Sequence, residues 1–293
     1  MKTQTRRRLV FLAWAGMGTL LMGALLSPSA SQVLAGQAHA SPVGAHAAAR
    51  LAADVGPLQA TPQAYLPIVW RQYFLDYTYQ DDFSNPASGW PVDTRSEYGY
   101  EQDADGSQVY YIRSYYASGH KFVSGPGFAI GNFDYQAEVR LATTVQPLAP
   151  GDQYGILISP APIDPNNASG GPVYALQVQL QSAAGQLPNY VVTKWTSLAE
   201  LHKTVLKQAG AADWLTNLPK FWNRLRIVRS GNQLDFYISR QKGASFTPWQ
   251  HVFLYAEPTL PEQLYVGFLV DHAEGSSYLI EFQFDNVFLH VYQ

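Results

Sequence analysis

The chain has 293 residues, a formal net charge of -3, 14% charged and 14% aromatic side chains, 23 glycines and no cysteine. Without concentrated Lys and Arg it offers no electrostatic footprint for nucleic acid or an anionic membrane surface. The missing thiols exclude disulfides, thiolate metal sites, a cysteine nucleophile and a lipid-modified cysteine anchor, so stability must come from the core.

Three arginines at 6 to 8 precede the apolar run Leu9 to Leu26, and Ala38-His39-Ala40 offers a small-x-small cleavage site before Ser41. Residues 1–40 therefore read as a secretory signal peptide, with retention as an anchor as the alternative. Residues 41–75 read as a linker, rich in Ala, Gly and Pro, followed by a leader segment from Ala64 that carries Pro67. From 76 to 293 short apolar-polar alternations follow one another at regular spacing, as in an all-β domain. In "FDYQAEVRL", Tyr135, Ala137, Val139 and Leu141 oppose Gln136, Glu138 and Arg140. In "VYALQVQL", Tyr174, Leu176, Val178 and Leu180 oppose Gln177 and Gln179.

The pattern breaks at Ser197 and Glu200, which have capping-box spacing. Leu198, Leu201, Val205 and Leu206 then keep roughly one helical face up to Gly210, which predicts one short helical insertion. Alternation resumes in "WNRLRIVRSGNQLDFYISR", Trp222 to Arg240, where Ser230-Gly231-Asn232 predicts a hairpin turn. Its apolar positions, Leu225, Ile227, Leu234, Phe236 and Ile238, form one core face, and Arg224, Arg226, Asp235 and Tyr237 form the other. The final strand sets Ile280, Phe282 and Phe284 against Glu281, Gln283 and Asp285. One-sided polarity in consecutive strands, with no alternating helices, points to an antiparallel two-sheet sandwich.

The order of "DDFSNPASGW" (81–90), "FDYQAEVR" (133–140), "GDQYGILI" (151–158), "VYALQV" (173–178), "NRLRIVRSGNQLDFYIS" (223–239), "LYVGFLV" (264–270) and "FDNVFLH" (284–290) resembles the concanavalin A-like lectin/glucanase jelly rolls. Within them it is most similar to the bacterial secreted group related to laminin-G-like and 3-keto-disaccharide hydrolase domains. The resemblance implies two curved antiparallel sheets with the first and last strands side by side, which would bring Asp82 and Phe83 near Phe284, Asp285 and Asn286. It further implies a carbohydrate in the concave sheet, and a calcium site near Asp82 and Asp285. Fold does not determine function, and the same architecture hosts lectins, hydrolases and adhesive modules.

Sugar sites combine rings, which pack on the pyranose C–H face, with amide, guanidinium and carboxylate groups that take the hydroxyls. Glu138, Arg140, Tyr154, Gln177, Trp195, Arg226, Tyr237 and Trp249 are the candidates of those types. For the charged ones the alternative is cross-strand pairing on an exposed face; for the aromatic ones it is core burial.

No catalytic residue emerges. The chain lacks a Glu-x-Asp-x-x-Glu run, a Gly-x-Ser-x-Gly elbow and close His-x-x-x-His spacing. Asp103-Ala104-Asp105-Gly106 reads as a hairpin turn, since no bidentate Glu follows to complete a calcium loop. Asn167-Ala168-Ser169 is a glycosylation sequon in a long loop. The expectation is an exported, secreted or cell-surface carbohydrate-binding domain. The alternatives are a glycoside or 3-keto-disaccharide hydrolase, which requires two carboxyls about 5–10 Å apart in the concave groove, and an adhesive module with a protein partner.

Overall fold

The computed structural model describes residues 76–114, 119–142, 151–181, 187–211, 213–219, 221–272 and 279–292. The signal peptide expected over 1–40 and the linker and leader expected over 41–75 lie outside the described residues. The described chain is all β. Its strands are β1 (Tyr77–Asp81), β2 (Tyr98–Gln102), β3 (Gln108–Ser114), β4 (His120–Ile130), β5 (Asn132–Leu141), β6 (Gln153–Ser159), β7 (Val173–Gln179) and β8 (Asn189–Ser197). They continue as β9 (His202–Gly210), β10 (Asn223–Ser230), β11 (Gln233–Lys242), β12 (Ser245–Phe246), β13 (Gln250–Ala256), β14 (Gln263–Asp271) and β15 (Ile280–Tyr292). Among the described residues no helix is long and apolar enough to cross a membrane.

Two antiparallel sheets face each other. The first runs β12-β11-β10-β5-β15-β3-β2, with β1 added along β15 and β13 along β11; the second runs β4-β14-β6-β7-β8-β9. The first and last strands lie side by side, Tyr77 opposite Val291 and Asp81 opposite Val287, as the resemblance implies. Alternation explains the core: Phe133, Tyr135, Ala137 and Val139 of β5 meet Ile156, Ile158, Tyr174 and Leu176 of the second sheet. On β15 a bulge follows Asp285, where Asn286 adopts φ 48°. The extra residue changes the phase from Phe282 and Phe284 to Val287, Leu289 and Val291, so both halves of a long strand keep apolar side chains inward.

The hairpin at 222–240 forms as expected, with Ser230 opposite Gln233 and Gly231 at φ 59°. So does the turn at Asp103, where the Gly106 N–H donates to the Asp103 carbonyl at 3.0 Å. The helical insertion is corrected: residues His202–Gly210 are an edge strand paired with β8. The capping contact does form, the Glu200 N–H donating to Ser197 Oγ at 3.2 Å, but it closes a tight turn in which Leu201 takes φ 55°. Pairing along all of β8 outweighs helical propensity in so short a segment.

Candidate functional site

The side of the six-stranded sheet that faces away from the main core is a trough. On a flat sheet β8 and β4, or β9 and β14, would lie about 19 Å apart, four strand spacings. Yet the rings of Trp195 (β8) and Phe122 (β4) approach to 5.1 Å, and the Lys203 ammonium (β9) forms an ion pair with Asp271 (β14). Extended Lys and Asp side chains together reach only about 11 Å, so the sheet must curl around this side.

Two glycines at trough-facing positions permit the curl. A Cβ on Gly155 would lie 2.1 Å from the Leu176 carbonyl oxygen, and one on Gly267 would lie 2.2 Å from that of Val123. Any side chain there would force neighbouring strands apart.

Half of the trough is apolar and closed. Phe122, Leu157, Val173, Ala175, Trp195 and Leu269 form a second core, covered by Ile163 and Ala168 of the β6–β7 loop and by Leu198 of the β8–β9 turn. The other half is polar and amide-rich. Gln179 Oε1 accepts from Asn189 Nδ2 at 3.1 Å and from Gln208 Nε2 at 2.7 Å. Gln177 Oε1 accepts from Thr193 Oγ1 at 2.8 Å.

His120 Nδ1 lies 2.7 Å from Asp271 Oδ1, and its ring stands edge-on to Trp195 at 5.5 Å. Burial of Asp271 favours its neutral form, but the hydrogen bond with His120 and the charge of Lys203 prevail and hold the carboxyl below its usual range.

Three buried polar atoms on this side have no partner among the described residues: Gln153 Oε1, Gln177 Nε2 and Trp195 Nε1. Gln177 is 0% and Trp195 1% exposed. Buried polar atoms are nearly always satisfied, so an acceptor and two donors without a described partner give the layer beneath this concave face unmet hydrogen-bonding capacity.

The candidates read from the sequence divide among three environments. Only Gln177 and Trp195 face the trough. Tyr154 is a correction: it lies in the core between the sheets, stacked on Phe282 at 4.3 Å, with its hydroxyl accepting from Asn223 Nδ2 at 3.3 Å. Glu138, Arg140, Arg226, Tyr237 and Trp249 share the outer face of the other sheet. There the charges are already paired across strands. Glu138 Oε1 accepts from Arg224 Nε at 2.9 Å and Nη2 at 2.8 Å; Oε2 accepts from Asn286 Nδ2 at 3.1 Å. Arg140 donates to Gln283 Oε1 at 2.8 Å, meets Asp103 at 2.5 Å and lies 4.1 Å over the Trp222 ring. Arg226 forks onto Asp134 at 2.8 and 2.7 Å and sits 5.2 Å from the Tyr237 ring and 5.6 Å from the Trp249 ring.

Gln153, Gln179, Asn189, Gln208, His120, Asp271 and Lys203 are trough residues that were not among the site candidates read from the sequence. The signal available was phase: Asp271 continues the polar alternation at the end of "LYVGFLVD".

Asp82 and Asp285 do meet. Both line a cavity of about 580 Å³ beside Ser84, Gln102, Ser107 and Gln108. Burial, together with the charges of Glu138 and Asp82, pushes the Asp285 carboxyl up to about 7. Calcium takes six to eight oxygens; among the described residues no three His, Asp or Glu come together as metal ligands, so Asp82 and Asp285 would supply only part of such a shell.

On the same outer face Glu101 and Glu281 share Arg113, at 2.8 and 2.6 Å, and burial and the Glu281 charge raise Glu101. In the trough Asp271 is the sole carboxylate among the described strand residues, so a glycosidase pair is missing from those strands.

No protein-family model matches the chain, and no curated protein matches it in sequence. Among solved structures it is similar to a mutant form of the GH43 protein BlXynB of Bacillus licheniformis, with 14% identity, TM-score 0.49, and 73% of this chain and 39% of that one covered. Similarity also extends to a xylan beta-1,4-xylosidase of Bacillus halodurans C-125 (13%, TM-score 0.48, 72% and 38% covered) and to basic winged bean lectin with Tn-antigen (10%, TM-score 0.45, 73% and 98% covered). The chain spans about two fifths of the length of those two Bacillus proteins. Strand order and register, rather than these scores, define the antiparallel two-sheet sandwich.

Proposed function

We propose that this is an exported carbohydrate-binding domain that holds a glycan in the polar half of the trough. The observation that carries the reading is the cluster of solvent-reaching amides at the end of the concave face, Gln179, Asn189 and Gln208, joined through Gln179 Oε1. Sugar hydroxyls both donate and accept, so they can use the remaining N–H groups and lone pairs of these amides together. With Asp271 the sole carboxylate on the described strands of the trough, binding is favoured over glycoside hydrolysis there. A glycan-array screen of the domain tests this, with Gln208→Ala as the control. Binding to a restricted set of glycans, weakened at least about tenfold by the substitution, is expected. No binding to any glycan would overturn the reading.

A second reading, hydrolysis, is favoured by Asp285. A carboxyl raised to about 7 in a polar cavity is suited to donate a proton near neutral pH. Turnover of chromogenic glycosides that is lost in Asp285→Asn would establish it, and no turnover by the wild type would remove it.

A further inference from the structure

Resting on the trough as the glycan site, we infer that the protein recognises the terminal unit of a glycan, or a short free saccharide, and not an internal stretch of a long chain. An internal stretch needs a groove open at both ends, and this trough is crossed and then plugged. The crossing is the contact of Trp195 with Phe122 and His120, from opposite sides of the sheet, capped by the Lys203 ammonium 5.0 Å over the indole. Beyond it the floor is filled by Ile163, Ala168 and Leu198.

The plug is anchored at several points. The Ile163 N–H donates to Ser124 Oγ on the trough floor at 2.9 Å, and the Leu198 N–H donates to the Gly170 carbonyl at 3.0 Å, joining the two covering loops. Asn166 Nδ2 donates to the Tyr98 hydroxyl at 3.0 Å. A Cβ at Gly171 would lie 2.6 Å from the Thr196 carbonyl oxygen, so the loop lies flush against the end of β8. The solvent-reaching amides Gln179, Asn189 and Gln208 lie on the near side of the crossing, at the opposite end of their strands from Trp195. A sugar entering there meets the Trp195–Phe122 wall with its leading end, and a chain has no exit beyond it.

The test measures the full-length protein against β-glucan, xylan, mannan and galactan, each as the intact polymer and as its di- and trisaccharides, at equal total sugar. Each oligosaccharide is also presented with its reducing end converted to the alditol. For at least one sugar type the oligosaccharides are expected to bind about tenfold or more above the polymer, because the polymer offers few ends per unit mass. Loss on alditol conversion identifies the reducing end as the one bound; retention identifies the non-reducing end. Ile163→Ala, checked for folding by thermal melting, is expected to raise polymer binding relative to oligosaccharide.

Polymer binding equal to or above that of the oligosaccharides would overturn chain-end recognition while leaving the carbohydrate reading intact. Failure of every polymer and oligosaccharide to bind would overturn both. The wild-type comparison decides the matter even if Ile163→Ala does not fold.

Discussion

Asp285→Asn isolates a carboxyl whose environment works strongly against its charge. Asp285 sits at the β15 bulge, its Oδ1 accepting from the Asn286 N–H at 2.7 Å, with Glu138 and Asp82 nearby. Its carboxyl rises from 3.8 to about 7, mainly through burial. Between these values the unfolded chain has lost the proton and the folded chain keeps it, so stability falls as pH rises through this window and the cost is complete above about 7.

A rise of that size corresponds to about 4 kcal/mol. One side of the group faces an open, polar cavity, and solvent there reduces the expected cost to about 1–2 kcal/mol. Asparagine keeps the shape and the acceptor for the Asn286 N–H while removing the charge. Urea unfolding at pH 4, 6 and 8 should therefore show wild type and variant nearly equal at pH 4 and the variant more stable at pH 8. With a slope of about 2 kcal/mol per molar urea, the midpoint should move up by about 0.5–1 M. Equal midpoints at every pH, or a variant less stable at pH 8, would refute the argument. Asp82→Asn removes one of the opposing charges and should shift the window downward.

Gly155→Ala should cost about 3 kcal/mol or more and weaken glycan binding with it, because the new methyl meets strand backbone at 2.1 Å rather than a movable side chain; calorimetric melting checks it. Glu257 bridges the sheets, accepting from Lys194 and Thr259 and from the hydroxyls of Tyr174 at 2.9 Å and Tyr255 at 3.2 Å. The Lys194 hydrogen bond leads in holding its carboxyl down at about 2, so its contribution is complete above about 4.5 and lost as pH falls through about 2. Glu257→Gln should be less stable by about 2–3 kcal/mol at pH 7, with the deficit shrinking in acid unfolding series. Chelation with EDTA should leave glycan binding unchanged, since among the described residues no three His, Asp or Glu are placed to hold one metal ion; loss of binding in the array would reverse that expectation.

Legibility followed the range of the interaction. The core faces of β5, β7, β10 and β11 were readable because alternation is a local property of the strand and burial acts on every second residue. The segment after Ser197 was not. Its capping contact exists, but whether the chain then coils or extends depends on β8, an already formed strand with a free edge. Arg224, Arg226 and Tyr237 were recognisable as one polar face of the hairpin; that this face is satisfied by Glu138 and Asp134 depends on the pairing of β10 with β5, some 90 residues earlier.

By itself, then, the sequence determined that the chain builds one-sided strands and where most of them turn; the pairing of first and last strands was only what the resemblance implied. Tertiary structure alone decided which polar face is concave. That choice comes from the curl of the second sheet, which two small residues permit through contacts between strands, and it carries Trp195 across to Phe122 and leaves Gln153 and Gln177 facing the same hollow. Curvature is a collective property of paired strands, and no single strand encodes it.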